Sequence, residues 1–205
     1  MHITLTNTGK RFNREWIFRH LNFVFIPGKK YAVTGANGSG KSTLLQVIAG
    51  AIIHNEGSIS YSLNGENLAS DAPYKQIAFA APYLEMIEEL TATEMLQFHT
   101  RFKPFVQGHS IPAVLQSVGL EKAAGKQIRY YSSGMKQRLK LLQAFFSDTP
   151  VLLLDEPTTN LDGDGIALYH RLINDRAKNK LVIISSNDRQ EYDFCDEVIE
   201  MAAYK

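Results

Sequence analysis

The chain has 205 residues, 44% of them apolar, with 22 Lys and Arg against 21 Asp and Glu and a single cysteine, Cys195. That is enough apolar material for one compact domain with a real core, and little for two. A net charge of +1 without a basic run argues against direct nucleic-acid binding, one cysteine excludes an internal disulfide, and no stretch approaches the roughly 20 apolar residues that span a bilayer.

Met1-His2-Ile3-Thr4-Leu5 opens as a strand and not as an export signal, which predicts a cytoplasmic protein. Residues 2–6 and 21–26 alternate apolar and polar side chains, so antiparallel strands are expected ahead of a turn at Pro27-Gly28. Lys30–Thr34 then reads as a short buried strand and residues 42–50 as a helix ending at glycine. Between them stands Gly35-Ala36-Asn37-Gly38-Ser39-Gly40-Lys41-Ser42-Thr43, in the order strand, loop, helix. Gly35, Gly38 and Gly40 fall where the backbone must turn with positive φ or approach an oxygen closely, so that the loop amides converge on an anion. Lys41 brings a point charge for the β and γ phosphates, Ser42 a hydroxyl for Mg²⁺, and the helix its positive dipole end. Ordinary residue usage produces this pattern in roughly one chain per hundred of this length, which favours a nucleoside triphosphate site over a merely Gly-rich turn.

Residues from about 81 to 130 change texture: Thr91 or Thr93 is placed to cap a helix through Glu94-Met95-Leu96-Gln97-Phe98, with breaks at Pro104, Gly108 and Pro112. They read as a helical lobe inserted into a nucleotide-binding core of residues 1–80 and 131–205 within a single domain. A helix (134–146), an apolar strand (151–154), a second helix (about 164–177) and a strand (181–185) follow, an alternation that predicts an α/β fold with a mostly parallel sheet. Val151-Leu152-Leu153-Leu154-Asp155-Glu156 ends in two carboxylates at the strand end where open α/β sheets bind ligands. Asp155 suits the Mg²⁺ shell and Glu156 suits a water attacking the γ phosphate; an ordinary strand end is the alternative. Tyr131-Ser132-Ser133-Gly134-Met135-Lys136-Gln137-Arg138 offers a second anion-binding helix N-terminus, or a well-capped helix whose Lys136 and Arg138 are solvated.

In this order the motifs resemble, over nearly the whole chain, the ATP-binding cassette ATPases, a family with a RecA-like P-loop core, an N-terminal antiparallel β subdomain and a helical lobe. Tyr131–Met135 resembles the signature segment, Thr159-Asn160-Leu161-Asp162 the loop that meets the partner cassette, and Phe12 the aromatic that stacks on adenine, with Trp16 as competitor and a plain core aromatic as the alternative. The resemblance implies ATP and Mg²⁺ as ligands. It implies a second cassette, identical or different, whose Ser132, Ser133 and Gly134 complete the site. It also implies a transmembrane permease subunit that holds the chain at the inner face of the cell membrane. Tyr83, Leu84, Met86, Ile87 and Leu90 are candidates for the groove that receives the permease, or else belong to the lobe's own core.

Two positions depart from the family. Pro82 stands where a glutamine follows the strand Ile77-Ala78-Phe79-Ala80; Gln76 lies on the wrong side of that strand, and Tyr83 and Glu85 are the candidates to compensate. Asn187, in Ile183-Ile184-Ser185-Ser186-Asn187-Asp188, replaces the switch histidine and cannot titrate near neutral pH. Ser133 replaces a signature glycine but keeps the amide. The expectation is a slow or partner-stimulated ATPase that powers a transporter. The alternatives are an ATP-sensing dimerisation module with little turnover, a soluble non-transport cassette protein, and an ordinary P-loop kinase, which leaves the Ser132-Ser133-Gly134 segment unexplained.

Overall fold

The computed structural model describes residues 1–69 and 73–205. Its first two strands, β1 (His2–Phe12) and β2 (Glu15–Phe25), form the expected antiparallel pair, with Ile3 opposite Phe25 and Phe12 opposite Glu15. After the Pro27-Gly28 turn come β3 (Lys30–Thr34) and α1 (Lys41–Ile48), separated by the glycine-rich loop. Two strands not read from the sequence follow, β4 (Glu56–Leu63) and the short β5 (Glu66–Asn67); β4 pairs with β1, placing Ile3 opposite Tyr61. Ile59, Tyr61 and Leu63 alternate with serines along β4, so one face meets the core and the other stays polar.

β6 (Ile77–Ala80) leads into the helical segment, where α2 (Ala92–Thr100) starts at a capping box. Thr91, the cap, accepts from the Glu94 amide while Glu94 reaches back to the Thr91 amide, so of the two expected caps Thr91 is the one used. Pro112 is not a break: it lies in the first turn of α3 (Ile111–Ser117), where a missing amide costs no helical hydrogen bond. Then α4 (Ser133–Phe146), β7 (Val151–Asp155), α5 (Gly163–Arg176) and β8 (Leu181–Ser185) repeat the predicted alternation, and a strand not read from the sequence, β9 (Glu197–Glu200), joins the same sheet.

The second sheet has the order β6-β7-β8-β3-β9, each neighbouring pair parallel. Its central strands β7 and β8 are buried at every position, as strands covered on both faces require, while the edge strand β9 buries only Ile199. Leu152, Leu154, Val182 and Ile184 face α4, α5 and the lobe; Val151, Leu153, Leu181 and Ile183 face α1 and the β1–β2 pair. Parallel strands end together, so Thr34, Ala80, Asp155 and Ser185 reach one edge of the sheet, and the loops that follow them make the site.

Candidate functional site

The loop after β3 is a cradle that side chains would fill. Gly35 has φ +142° and a Cβ there would stand 2.8 Å from Ser39 Oγ; Gly40, φ +102°, would meet Ile17 Cγ2 at 2.5 Å. Lys41 is 5% exposed and donates to the Gly35 carbonyl at 2.7 Å, so its charge is folded onto the loop's own oxygens. Ser39 Oγ is buried and has no hydrogen-bond partner among the described residues. Asn37, Gly38, Gly40, Lys41, Ser42, Thr43, Glu156 and Ile17 line one cleft of about 380 Å³. Ile17, its apolar wall, carried no motif signal; its place in β2 beside the loop is what brings it here.

At the end of β7, Asp155 is 1% exposed and neither carboxylate oxygen has a hydrogen-bond partner among the described residues. An unpaired buried carboxylate is costly, and a divalent cation or its bound water supplies what it lacks. Asp155 and the Ser42 hydroxyl are hard oxygen donors, the kind of ligand that Mg²⁺ takes. Glu156 is held at φ +42°, left-handed backbone for a non-glycine residue, by its amide's bond to the Ser185 carbonyl at 2.8 Å and by its carbonyl's acceptance from the Thr159 amide at 3.1 Å.

Beyond β8, Asn187 is tied to the phosphate loop: its Oδ1 accepts from the Gly35 amide at 3.3 Å, and its Nδ2 donates to Asn37 Oδ1 at 3.1 Å. Behind it, Glu191 is buried and accepts from both the amide (2.7 Å) and the hydroxyl of Thr158. Burial raises its pKa against those hydrogen bonds. Glu191 joins the loop after β7 to the loop after β8, a role that no local pattern signals.

Ser132, Ser133 and Gly134 lie elsewhere. Ser132 Oγ caps α4 by accepting from the Met135 amide at 3.2 Å, and Gly134 lets the helix start press on the neighbouring loop, since a Cβ there would stand 3.0 Å from the Asn160 carbonyl. Gln137 reinforces the contact from inside, donating to the Pro157 carbonyl at 2.8 Å. Lys136 and Arg138 are not free: they pair with Glu88 and, at 3.0 Å, with Asp162, which also caps α5. The result is a separate cleft of about 490 Å³ that includes Ser132–Met135 and Asn160–Asp162 but no residue of the phosphate loop.

This constellation has known counterparts. The family profile described as ABC transporter matches residues 18–159. The chain belongs to the ABC transporter family. It is 31% identical to the uncharacterized ABC transporter ATP-binding protein YybJ of Bacillus subtilis (strain 168), over 97% of this chain and 92% of that one. Among solved structures it superposes on the ATP-binding subunit of an ABC transporter with a TM-score of 0.83 at 26% identity, covering 98% of this chain and 85% of that one. A dimeric ATP-binding cassette in a post-hydrolysis state, bound to ADP and Pi, shares the fold with a TM-score of 0.79 at 23% identity, covering 97% and 93%. The α/β architecture, with its parallel sheet and antiparallel β subdomain, is that of a P-loop NTPase cassette.

In this cassette the loop after β6 carries its departure openly. Pro82 offers only a carbonyl, which accepts from Lys140 Nζ. Tyr83 is tied to α1: its hydroxyl accepts from Gln46 Nε2 at 3.0 Å. Burial of the hydroxyl, with Asp155 nearby, pushes its pKa up to about 12, so it stays protonated. Glu85 is exposed. Both aromatics near the cassette's N-terminus carry cations: Arg19 at 4.2 Å and Arg11 at 5.4 Å lie over Trp16, and Lys10 at 4.9 Å lies over Phe12, which is 48% exposed.

The five apolar groove candidates divide. Tyr83, Leu84 and Ile87 are exposed, Met86 packs partly on the core, and Leu90 is half-buried. A groove of about 410 Å³ runs along Pro82, Tyr83, Leu84, Glu85, Met86 and Glu88, floored by Lys136 and Lys140 of α4.

Proposed function

We propose that this chain is the ATP-binding and ATP-hydrolysing subunit that powers a membrane ABC transporter, working as one of two cassettes that sandwich ATP and Mg²⁺. The observation that carries the reading is the division of one set of motifs: the phosphate loop and Glu156 line one cleft, Asn187 lines an adjoining cleft that shares Asn37 and Glu156 with it, and Ser132–Gly134 line a separate one. A single copy cannot close both the phosphate loop and that separate cleft around one nucleotide, and two copies facing each other can.

In this reading the loop amides, Lys41 and the opening of α1 bind the triphosphate, Thr43 and Ile17 line the cleft beside it, and Phe12 stacks on the base. Ser42 and Asp155 would hold Mg²⁺, which would supply positive charge against the triphosphate. Glu156 orients a water and accepts its proton as the oxygen attacks the γ phosphorus and the bond to the β-phosphate oxygen breaks, giving ADP and phosphate. Asn187 holds the γ phosphate by donating from the amide that now binds Asn37. Ser132 and the amides of Ser133 and Gly134 from the second cassette add donors to the same oxygens. The groove at Tyr83–Met86 takes a short helix of the permease, which keeps the chain on the cytoplasmic face of the membrane. Among the described residues no helix is long and apolar enough to cross a membrane.

The bonds from Asn187 to the phosphate loop favour a second reading, an ATP-sensing module with little turnover, because nucleotide must compete for that amide. Phosphate release by wild type, Glu156→Gln and Asn187→Ala separates the two. The ATPase reading expects turnover that Glu156→Gln abolishes and Asn187→Ala lowers; equal, near-zero release from all three supports the sensor.

A further inference from the structure

We propose that Glu191 is a positioning residue for the hydrolytic step, its carboxyl setting the turn that carries Glu156 against the segment that carries Asn187. The inference rests on the ATPase reading above and adds a residue to it. Left-handed backbone at a glutamate lasts only where its surroundings over-determine it, so the groups that fix the turn after Glu156 also fix the direction of its side chain. Pro157 has no amide to contribute, and the first one available is that of Thr158. That amide donates to Glu191 Oε1 at 2.7 Å, and the Thr158 hydroxyl donates to the same oxygen. Two donors from one residue on one acceptor fix that residue's backbone and its rotamer together. The Thr158 carbonyl is closed off locally, accepting from the Leu161 amide at 2.9 Å. Among the described residues, Glu191 is therefore the one side chain that holds Thr158 by hydrogen bonds.

Glu191 is itself a fixed post. It closes the short 3-10 turn Arg189–Glu191, which starts two residues after Asn187. Its amide donates to the Asp188 carbonyl at 3.0 Å, and its carbonyl accepts at 2.6 Å from the hydroxyl of Tyr169, a fully buried residue of α5. The side chain is 3% exposed, so water does not compete for the Thr158 donors. Its second oxygen, Oε2, is buried with no hydrogen-bond partner among the described residues, which costs free energy. Packing alone is better served by an apolar side chain of similar volume, which carries no such penalty. Glu191 lines one cleft of about 380 Å³ together with Glu156, Thr158 and Asn187.

The test uses the full chain, phosphate release from ATP with Mg²⁺, and trinitrophenyl-ATP as the binding probe. The variants are Glu191→Leu, Glu191→Gln and Thr158→Val, with Glu191→Leu also made in the Glu156→Gln background. Glu191→Leu removes the acceptor and is expected to lower kcat between about tenfold and a hundredfold, the cost of a misplaced reacting group, with KM and probe affinity unchanged. Glu191→Gln keeps an acceptor oxygen for Thr158 and recovers most of that loss. Beside Glu156→Gln, Glu191→Leu has no further effect on residual release, because the residue it acts through is already disabled. Equal kcat in wild type and Glu191→Leu overturns the proposal, and so does a Glu191→Gln protein no better than Glu191→Leu. Two more results overturn it because they report a general loosening of the fold: KM and probe affinity that worsen along with kcat, and a Glu191→Leu loss that persists undiminished beside Glu156→Gln. Should Glu191→Leu not fold, Thr158→Val decides, since it removes only the hydroxyl bond: a several-fold fall in kcat supports the proposal and an unchanged kcat overturns it. A wild type that releases no phosphate sinks the ATPase reading and this proposal with it, whereas a failure of Glu191 alone leaves wild-type turnover intact.

Discussion

Glu156 is the residue where backbone strain and the proposed chemistry coincide. Its φ of +42° costs a non-glycine residue of order 1 kcal/mol, and the flanking hydrogen bonds hold it there. Glycine meets no such penalty, so Glu156→Gly should raise the melting temperature by a few degrees while turnover is lost. Glu156→Gln should keep nucleotide affinity and lower phosphate release by about a hundredfold or more, since the amide cannot accept the water's proton. A stability gain that fails to appear in the glycine variant, measured by thermal denaturation, would mean that the strain is offset by side-chain contacts. At this scale the phosphate loop was legible because each of its residue types has a separate chemical task within nine consecutive positions, Gly35 through Thr43. Tyr83 was legible only as one of two candidates. Its hydrogen bond with Gln46 joins separate parts of the chain, and one-dimensional spacing does not reveal it.

The elements meet along seams, and the seam between α2 and the core is sensitive to acid. His99 on α2 donates from Nε2 to Ser147 Oγ at 2.8 Å, because that hydroxyl gives its proton to the Gln143 carbonyl. Lys180 donates to the Ser147 carbonyl at 2.7 Å and Lys103 to the Ile77 carbonyl at 2.6 Å, so two ammonium groups face backbone oxygens in the same region. Burial, with Lys103 adding repulsion, holds the His99 pKa down at about 4. The unfolded chain takes up that proton near pH 6.5 and the folded chain does not. The His99 contribution to stability is therefore complete above about pH 6.5 and is lost as the pH falls toward 4, at up to about 1.4 kcal/mol per pH unit. His99→Gln keeps a donor to Ser147 and does not titrate. Melting temperatures across this range should fall more steeply for wild type than for the variant, and parallel curves would remove His99 as the cause. The long periodic elements here were legible, since α4, β7, α5 and β8 carry capping residues or continuous apolar runs. β4 and β9 differ: Ser58 through Leu63 of β4 alternate polar and apolar, a strand signal present in the sequence, whereas β9 is four residues whose pairing with β3 depends on tertiary contact.

At the scale of the whole molecule, the two clefts make a demand on assembly that the isolated chain leaves unmet. If Ser132–Gly134 of one cassette closes on the phosphate loop of another, ATP supplies the attraction, and hydrolysis removes it. Blocking hydrolysis should then trap the pair: Glu156→Gln with ATP and Mg²⁺ should run at twice the monomer mass in light scattering, and the same protein with ADP should not. Ser132→Arg, added to that variant, places a long side chain at the mouth of the second cleft, outside the phosphate site. It should leave nucleotide binding to the monomer intact and prevent the doubling. Gly134→Ala should act in the same direction more mildly, because its Cβ would press the Asn160 carbonyl at 3.0 Å and shift the helix start against the loop. A dimer that forms equally well with Ser132→Arg would place the contact on another face and separate the second cleft from nucleotide binding. A dimer that never forms with this chain alone, while ATP still binds, would point to a different cassette as the natural partner. Mixing with that partner should then restore an assembly in which Ser132→Arg weakens only the site this chain completes.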